Sequence, residues 1–308
     1  MSVNRLAITL GDPRGIGPEI IAKAIRNLEN RDITYPIVLV GPDGLDPKIG
    51  PYEPVETFTG SEVSAGKVSG LAIERAVNMA QEGLVSGIVT GPIHKPALRS
   101  AGYPEPGHTE LLQRLTATPN VGMLMVSEKT KIGGPLRVLL ATTHVELKKV
   151  PDLISHQILV SQTILLSKAL KNEWSILEPR IGICALNPHA SDGGLFGNEE
   201  KLLFQPAIET LQEADVNVQG PIPADSVFNR ALNGEFDAVV APYHDLGMAA
   251  FKTVTFGQGV NVTLGLPFVR TSPDHGTAFD LVGKDQADTS SIEEAILLAA
   301  RLVKKRFE

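Results

Sequence analysis

Residues 5–40 read RLAITLGDPRGIGPEIIAKAIRNLENRDITYPIVLV, and this stretch decides the fold class. Arg5–Leu10 is an apolar run without clean alternation, which is typical of a strand covered on both faces. Pro18–Leu28 follows with the apolar spacing of a helix, and Ile37–Val40 is a second apolar run. A strand, a helix and a strand in this order indicate a parallel unit with a right-handed crossover.

The same alternation of apolar runs and helical patterns continues along the chain. We predict further strands at Gly87–Thr90, Gly122–Val126, Arg137–Thr142, Arg180–Ala185, Ala238–Ala241 and Val260–Leu264. We predict further helices at Ala65–Glu82, Thr109–Leu115, Pro151–Leu170, Asn198–Glu213 and Ile292–Arg306. The turn-rich stretch 42–60 is expected to be an irregular surface segment. The pattern predicts an α/β fold with a mainly parallel sheet, and the length of 308 residues predicts about two domains.

Composition excludes several classes of protein. The 308 residues carry 28 Lys and Arg against 35 Asp and Glu, and the net charge of −7 argues against nucleic-acid binding, which needs a basic field. The single cysteine, Cys184, excludes an internal disulfide and a cysteine-based zinc site, and it favours a reducing compartment. No apolar run approaches the length of a membrane span, and no signal peptide is recognisable. We therefore expect a cytoplasmic protein with no membrane partner.

Three histidines come just after three predicted strands. They are His144 in TTHVEL, His189 in LNPHAS and His244 in YHDLG. Ligands bind at the carboxyl ends of strands in open α/β sheets, and three neutral imidazoles meeting there can hold one divalent cation with positions left for a substrate. The alternative is three unrelated loop histidines, and spacing alone does not decide between these interpretations.

The loop after the first strand, GDPRGIGPEI, combines a tight turn with a helix start. Gly11, Gly15 and Gly17 permit the turn, and free N–H groups at the helix start can face an anion. The loop lacks the third glycine of a dinucleotide fingerprint and the Gly-Lys-Ser/Thr of a P-loop. A structural turn and a functional loop both stay open.

Five residues are candidates for binding an anionic substrate. His108 and Thr109 stand at a predicted helix start in GHTELL, where ordinary capping is the alternative. Lys252, Asn261 and Arg270 lie in the final third of the chain. Lys252 and Arg270 can form a cationic pair for a phosphate or carboxylate, whereas solvent-exposed charges are the ordinary interpretation.

The segment TSPDHGTAFDLVGK contains a compact turn of small residues beside one imidazole. His275, Gly276, Thr277 and Ala278 can accommodate a flat base, and Asp280 can accept hydrogen bonds from a ribose. These features are compatible with a cofactor loop.

Together, several motifs carry a family resemblance. In order they are GDPRGIGPEI, GHTELL, TTHVEL, LNPHASDGGLFGNEE, PADSVF, YHDLGMAAFK and TSPDHGTAFDLVGK. The chain resembles the 4-hydroxythreonine-4-phosphate dehydrogenase family of vitamin B6 biosynthesis over nearly its whole length. GIGPE and HGTAFD are also similar to segments of the isocitrate and isopropylmalate dehydrogenases. The chain departs from the family pattern at Asp12 and Arg14, where members often carry a Glu and a small residue.

The resemblance implies a two-domain α/β/α subunit with a mainly parallel sheet, similar to that of the isocitrate and isopropylmalate dehydrogenases. It implies a homodimer whose active site lies in an interdomain cleft at the dimer interface. It implies a cofactor-side domain at 1–110 and 250–308, and a dimerisation and metal/substrate domain at 111–249. It places the ligands of one divalent metal (Zn²⁺, Mg²⁺ or Co²⁺) on His144, His189 and His244. It places substrate contacts on His108, Thr109, Lys252, Asn261 and Arg270. The loop with His275, Gly276, Thr277, Ala278 and Asp280 would hold NAD or NADP, and Asp280 favours NAD.

The implied reaction is oxidation of 4-phosphooxy-L-threonine to a 3-keto acid, which decarboxylates to 3-amino-2-oxopropyl phosphate. Related dehydrogenases acting on 4-phospho-D-threonate, 4-phospho-D-erythronate or an aromatic cis-dihydrodiol are the alternatives. The catalytic base stays unassigned among Asp225, Asp245 and Lys252, and Asp245 is equally a candidate for orienting His244.

Overall fold

The computed structural model describes residues 4–255 and 257–307, which form two compact units. Unit 1 contains the described residues up to Pro119 together with those from Val260 onwards, and unit 2 lies between them, from Asn120 to Gly259. Because the chain leaves unit 1 and returns to it, no single linker marks the division. The boundaries fall after Pro119 and before Val260, rather than at the predicted 110 and 250.

Eight of the strands coincide with the eight predicted apolar runs. In chain order the strands are β1 (Leu6–Thr9), β2 (Ile37–Asp43), β3 (Tyr52–Thr57), β4 (Gly87–Thr90), β5 (Gly122–Ser127), β6 (Leu136–Leu140), β7 (Ile181–Cys184), β8 (Val218–Ile222), β9 (Ala238–Ala241), β10 (Val260–Leu264) and β11 (Val269–Pro273).

In unit 1 the strand order is β3-β2-β1-β4-β11-β10. All neighbours are parallel except β10 and β11, which are antiparallel. β1 and β4 are buried throughout, as the unbroken apolar runs predict. The irregular segment predicted at 42–60 is wrong in part, because it contains β3. The sequence of β3, YEPVET, is half polar because β3 lies at the end of this strand order and is mostly accessible to solvent.

In unit 2 the strand order is β5-β6-β9-β7-β8. The β5–β6 pair is antiparallel, and the remaining neighbours are parallel. The carboxyl ends of β6, β7 and β9 therefore point toward one edge, and the chain segments that follow them carry His144, His189 and His244. The mainly parallel α/β arrangement is confirmed.

Helices cover the sheets. They are α1 (Gly17–Glu29), α2 (Glu62–Gln81), α3 (Lys95–Ser100), α4 (His108–Thr116), α5 (Val150–Leu153), α6 (His156–Glu173), α7 (Gln205–Glu213), α8 (Ala224–Leu232), α9 (His244–Thr255) and α10 (Ser290–Phe307). The single helix predicted at 151–170 is wrong. It is divided into α5 and α6, because Ser155 begins a new helix by accepting a hydrogen bond from the N–H of Ile158. No helix in the described residues combines the length and apolarity that a membrane-spanning segment requires.

Cys184 ends β7 inside the apolar core of unit 2. Its side chain is fully buried among Val138, Phe236 and Phe251, and it is a free thiol. Burial, with a smaller contribution from Asp225, raises the pKa of this thiol to about 12. The cysteine is therefore a packing residue with an unreactive thiol at neutral pH.

Candidate functional site

Arg270 is a buried cation in the sheet of unit 1. Only 2% of the residue is exposed, although solvent exposure was the ordinary expectation for a lone arginine. Nη1 donates to Thr263 Oγ1 at 2.9 Å, and Nη2 donates to Thr90 Oγ1 at 2.6 Å, while Nε is buried without a protein partner. Burial lowers the pKa of Arg270 to about 9, against the attraction of Glu110. The guanidinium stays protonated at neutral pH, and it forms no ion pair within the described residues.

His108 and Asn261 add two more buried polar atoms without partners. His108 begins α4, and its Nε2 is buried without a hydrogen bond. Asn261 lies on β10, next to the strand of Arg270, and its Oδ1 is also buried without a hydrogen bond. Burial, helped by Arg270 and Lys95, lowers the pKa of His108 well below its ordinary value, so the ring is neutral. Buried polar atoms in proteins are nearly always hydrogen-bonded, so three unpaired atoms of predicted substrate contacts indicate a ligand.

The first loop is joined to the predicted cofactor loop. Asp12 is fully buried and accepts hydrogen bonds from Arg14 Nε at 3.1 Å and from Nη2 at 2.8 Å. The Arg14 guanidinium lies 5.3 Å from the ring centre of Phe279, in a cation–π contact. Arg14 Nη2 also lies 3.3 Å from Nδ1 of His94. Sequence reasoning noted Arg14 only as a departure from the family, and it missed His94 and Phe279 because no local pattern connects them.

The predicted cofactor residues form one compact loop of unit 1. The N–H of Ile16 donates to the carbonyl of Thr277 at 3.0 Å, so the start of α1 and this loop are in contact. A Cβ on Gly15 would lie 2.9 Å from the carbonyl oxygen of Thr277, so only glycine permits this approach. His275 Nε2 is buried without a partner, and Asp280 is exposed at the surface of the loop.

His144 and His244 lie side by side in unit 2. Their ring centres are 5.4 Å apart, and both line a cavity of about 270 Å³ with Thr143 and Tyr243. Nδ1 of His244 lies 2.8 Å from Oδ1 of Asp245, which leaves Nε2 of that imidazole available to a ligand. Two imidazole nitrogens in one cavity are suitable donors for a divalent metal.

His189 does not join this pair within one chain. It is exposed and lies in the segment Pro188–Gly194, and it is absent from the residues that line the cavity of His144 and His244. Across residues 4–255 and 257–307, no group of three or more His, Cys, Asp or Glu side chains is arranged to hold a metal ion. The expected meeting of three imidazoles is therefore not formed by a single copy of the described chain.

The loop of His189 is held in an unusual backbone conformation by a buried carboxylate. Residues 189–193 all have positive φ, from 44° at Asp192 to 72° at Ser191. Glu200, 4% exposed, accepts hydrogen bonds from the N–H groups of Leu186 and Asn187 and from the Ser191 hydroxyl. Burial raises the pKa of Glu200, but the hydrogen bonds from Asn187 and Ser191 outweigh it, and the pKa stays below its ordinary value. An ionised Glu200 therefore fixes the segment that carries His189.

The remaining predicted residues belong to unit 2 or to the start of α4. Thr109 follows His108 in the first turn of α4. Lys252 is exposed near the end of α9, and Asp225 is exposed in the first turn of α8, a helix that contacts the segment Pro188–Gly194. These positions leave the choice of a catalytic base among Asp225, Asp245 and Lys252 open.

Known structures share this fold over its full extent. A 4-hydroxythreonine-4-phosphate dehydrogenase from Klebsiella pneumoniae superposes with a TM-score of 0.83 at 34% identity, covering 97% of this chain and 99% of that one. An isocitrate dehydrogenase from Methylococcus capsulatus, with a TM-score of 0.56 and 13% identity, covers 98% of this chain and 86% of that one and shares the fold alone. The chain is a dehydrogenase of the class that oxidises a CH–OH group with a nicotinamide cofactor.

Sequence comparison identifies the family. The family model described as "Pyridoxal phosphate biosynthetic protein PdxA" matches residues 19–299, and the chain belongs to this family. A 4-hydroxythreonine-4-phosphate dehydrogenase from Prosthecochloris aestuarii is 40% identical over 95% of this chain and 95% of its own. A D-threonate 4-phosphate dehydrogenase from Cupriavidus necator is 39% identical over 98% of both chains.

Proposed function

We propose that the protein oxidises 4-phosphooxy-L-threonine with NAD or NADP. The product is a 3-keto acid that loses carbon dioxide to give 3-amino-2-oxopropyl phosphate, a step toward pyridoxal phosphate. Family membership supports this reaction. The observation that carries it is the group of buried, unpaired polar atoms on His108, Asn261 and Arg270, because a phosphorylated, zwitterionic substrate supplies the acceptors and donors that they lack.

In this proposal the chain's own residues bind and orient the substrate. Arg270 offers a bidentate guanidinium to an anionic group, Asn261 offers an amide, and His108 offers a neutral imidazole. Thr109 and Lys252 complete the proposed contacts. Asp225, Asp245 or Lys252 would take the proton of the alcohol, and a bound nicotinamide cofactor would supply the acceptor for the hydride.

We further propose that His144, His189 and His244 bind one divalent cation, Zn²⁺, Mg²⁺ or Co²⁺. Such an ion, when bound, lowers the pKa of a coordinated alcohol and stabilises negative charge on oxygen. His144 and His244 suit this role because they share one cavity, and Asp245 orients the ring of His244 through Nδ1.

A second copy of the chain would supply the third imidazole, so the proposed enzyme is a homodimer with its active site at the interface. Exposed apolar side chains lie beside the cavity of His144 and His244 and beside the segment that carries His189, as an interface between two copies requires. Leu147 is 63% exposed and lines the cavity of His144, and Leu195 is 73% exposed and follows the His189 segment. Mixing His144→Ala with His189→Ala subunits, each inactive alone, should restore activity at about a quarter of wild type. Complete absence of complementation would reject the shared site.

Cofactor choice and location are the remaining parts of the proposal. Asp280 would accept hydrogen bonds from the ribose and repel a 2′-phosphate, which favours NAD. We propose a cytoplasmic location because the chain has a single, buried cysteine and therefore no internal disulfide that would need an oxidising compartment.

A substrate panel tests the function. We expect NADH formation from 4-phosphooxy-L-threonine, its loss with a chelator and its recovery with Zn²⁺, Mg²⁺ or Co²⁺. The second candidate is 4-phospho-D-threonate, favoured by the relative from Cupriavidus necator, whose identity is only one percentage point lower than that of the relative from Prosthecochloris aestuarii. A kcat/KM at least tenfold higher for 4-phospho-D-threonate would replace the proposed substrate by that one.

A further inference from the structure

Lys95 is an exposed lysine that stands next to the buried unpaired atoms of unit 1. It is the first residue of α3 and follows His94. In the described part of the chain no carboxylate forms an ion pair with its ammonium group. An unpaired surface lysine does not by itself indicate a binding site, so the residues around Lys95 must be considered.

The side chain of Lys95 reaches the start of α4. Its Cε lies 3.5 Å from the position that a Cβ on Gly107 would occupy, and Gly107 is the residue that precedes His108 at this helix terminus. Oε2 of Glu110 lies at the same distance from this position, so one carboxylate is also present at this helix terminus. The ammonium group also contributes to the lowered pKa of His108, as expected for a cation close to the imidazole.

Positive charge exceeds negative charge around this group of residues. Arg270 and Lys95 both act on His108, whereas Glu110 is the carboxylate that acts on Arg270. The N-terminus of α4 adds positive potential, because no side chain caps its free N–H groups in the structure. The buried Nε of Arg270 has no hydrogen-bond partner among the described residues. A dianion bound here would accept a hydrogen bond from this Nε and balance the excess positive charge.

The backbone that carries Lys95 is fixed before any ligand arrives. Nδ1 of His94 lies 3.3 Å from Arg14 Nη2, and its ring contacts Phe279 edge to face at 5.1 Å. Pro96 follows Lys95 in the first turn of α3 and restricts the chain further. A lysine held on a rigid turn loses less conformational entropy on binding than one on a mobile loop.

We propose that Lys95 binds the phosphate group of the substrate together with Arg270 and the N-terminus of α4. This inference rests on the proposed function, because it names a phosphate monoester as the ligand. Lys95 supplies a compact charge at the solvent side of the site, and Arg270 supplies directed hydrogen bonds from its buried side. The pyrophosphate of the nicotinamide cofactor has the same chemistry and is the competing source of the anion.

Binding of inorganic phosphate to the enzyme alone tests the proposal without turnover. We expect isothermal titration to show at least tenfold weaker binding in Lys95→Met, and binding within threefold of wild type in Lys95→Arg. Lys168→Met, which removes an exposed and unpaired lysine of α6, should bind phosphate as wild type does. Thermal unfolding of each variant establishes that it is folded.

Steady-state kinetics separate the two sources of phosphate. Lys95→Met should raise the KM of the phosphorylated substrate at least tenfold and leave the KM of NAD within twofold. Unchanged phosphate binding in a folded Lys95→Met, or a KM increase confined to NAD, would overturn the inference. If the wild-type enzyme binds phosphate through Lys95 but does not oxidise 4-phosphooxy-L-threonine, the proposed substrate is rejected and the inferred anion site still stands.

Discussion

Arg270 and Thr90 are 180 residues apart in the sequence, and Nη2 of one donates to Oγ1 of the other at 2.6 Å. They lie on the neighbouring parallel strands β11 and β4, where Thr271 pairs with Val89. A second hydrogen bond, to Thr263 on β10, holds the other arm of the guanidinium. The cation is therefore positioned by three strands, with its Nε left for a ligand.

Replacing Arg270 by Met should raise the KM of the substrate more than the KM of NAD. Each hydrogen bond to a charged group contributes about 1.5–3 kcal/mol, so the substrate KM should rise roughly tenfold to a hundredfold. Steady-state kinetics with each reactant varied in turn measures both constants. An equal increase in the two values would contradict a role in substrate binding.

Stability should decline in acid because of His108. Its pKa is lowered in the folded protein, so the unfolded chain takes up a proton first as the pH falls below about 6.5, and the stability that is full above this value is progressively lost. The free energy of unfolding should fall by up to about 1.4 kcal/mol per pH unit from this residue. Urea denaturation at pH 7.5, 6 and 5 measures the decline. His108→Gln should have a shallower slope, and an identical slope would reject the assignment.

Asp280→Ala should narrow any preference for NAD over NADP. The exposed carboxylate lies in the proposed cofactor loop, and its removal would relieve repulsion of a 2′-phosphate. We expect the ratio of kcat/KM for NAD to that for NADP to fall about tenfold. Asp285→Ala is a matched control, because that carboxylate pairs with Lys23. If the ratio of kcat/KM for NAD to that for NADP changes equally in both variants, Asp280 does not determine which cofactor the enzyme prefers.

Glu200→Gln should release the segment that carries His189. The amide cannot accept from two backbone N–H groups as well as a carboxylate does, and each charged hydrogen bond contributes about 1.5–3 kcal/mol. Amide hydrogen exchange at Leu186 and Asn187 should therefore accelerate, and the unfolding free energy should fall by about 2 kcal/mol. Glu213→Gln, at the exposed end of α7, should change neither measurement. Unaltered exchange in the Glu200 variant would show that the segment keeps its conformation without the carboxylate.

The sequence predicts most of the central strands because burial on both faces requires continuous apolar runs. Three strands, β3, β8 and β11, escape prediction. β3 and β8 end their strand orders, and their sequences, YEPVET and VQGPI, mix polar residues with proline. β11 is central and buried, but its sequence, VRTSP, is not an apolar run because it contains three polar residues and a proline. The helices α3, α8 and α9 also escape prediction, and in α3 the reason is that KPALRS is too brief to show helical periodicity.

The arrangement of the candidate site could be predicted from the sequence only in part. The positions of His144 and His244 after β6 and β9 could be inferred, since parallel strands end at one edge. The conformation around His189 could not, because it depends on Glu200, which lies eleven positions further along the chain and belongs to no local motif. Arg14 and Phe279 are likewise joined only by the tertiary fold.

The buried thiol of Cys184 has a practical consequence for spectroscopy. Because its side chain is inaccessible and stays protonated, maleimide reagents should not react with Cys184 in the native protein. Cysteines introduced on the surface can then be coupled to fluorophores or spin labels without first deleting the natural one. Such probes would report local changes during turnover in an otherwise unaltered enzyme.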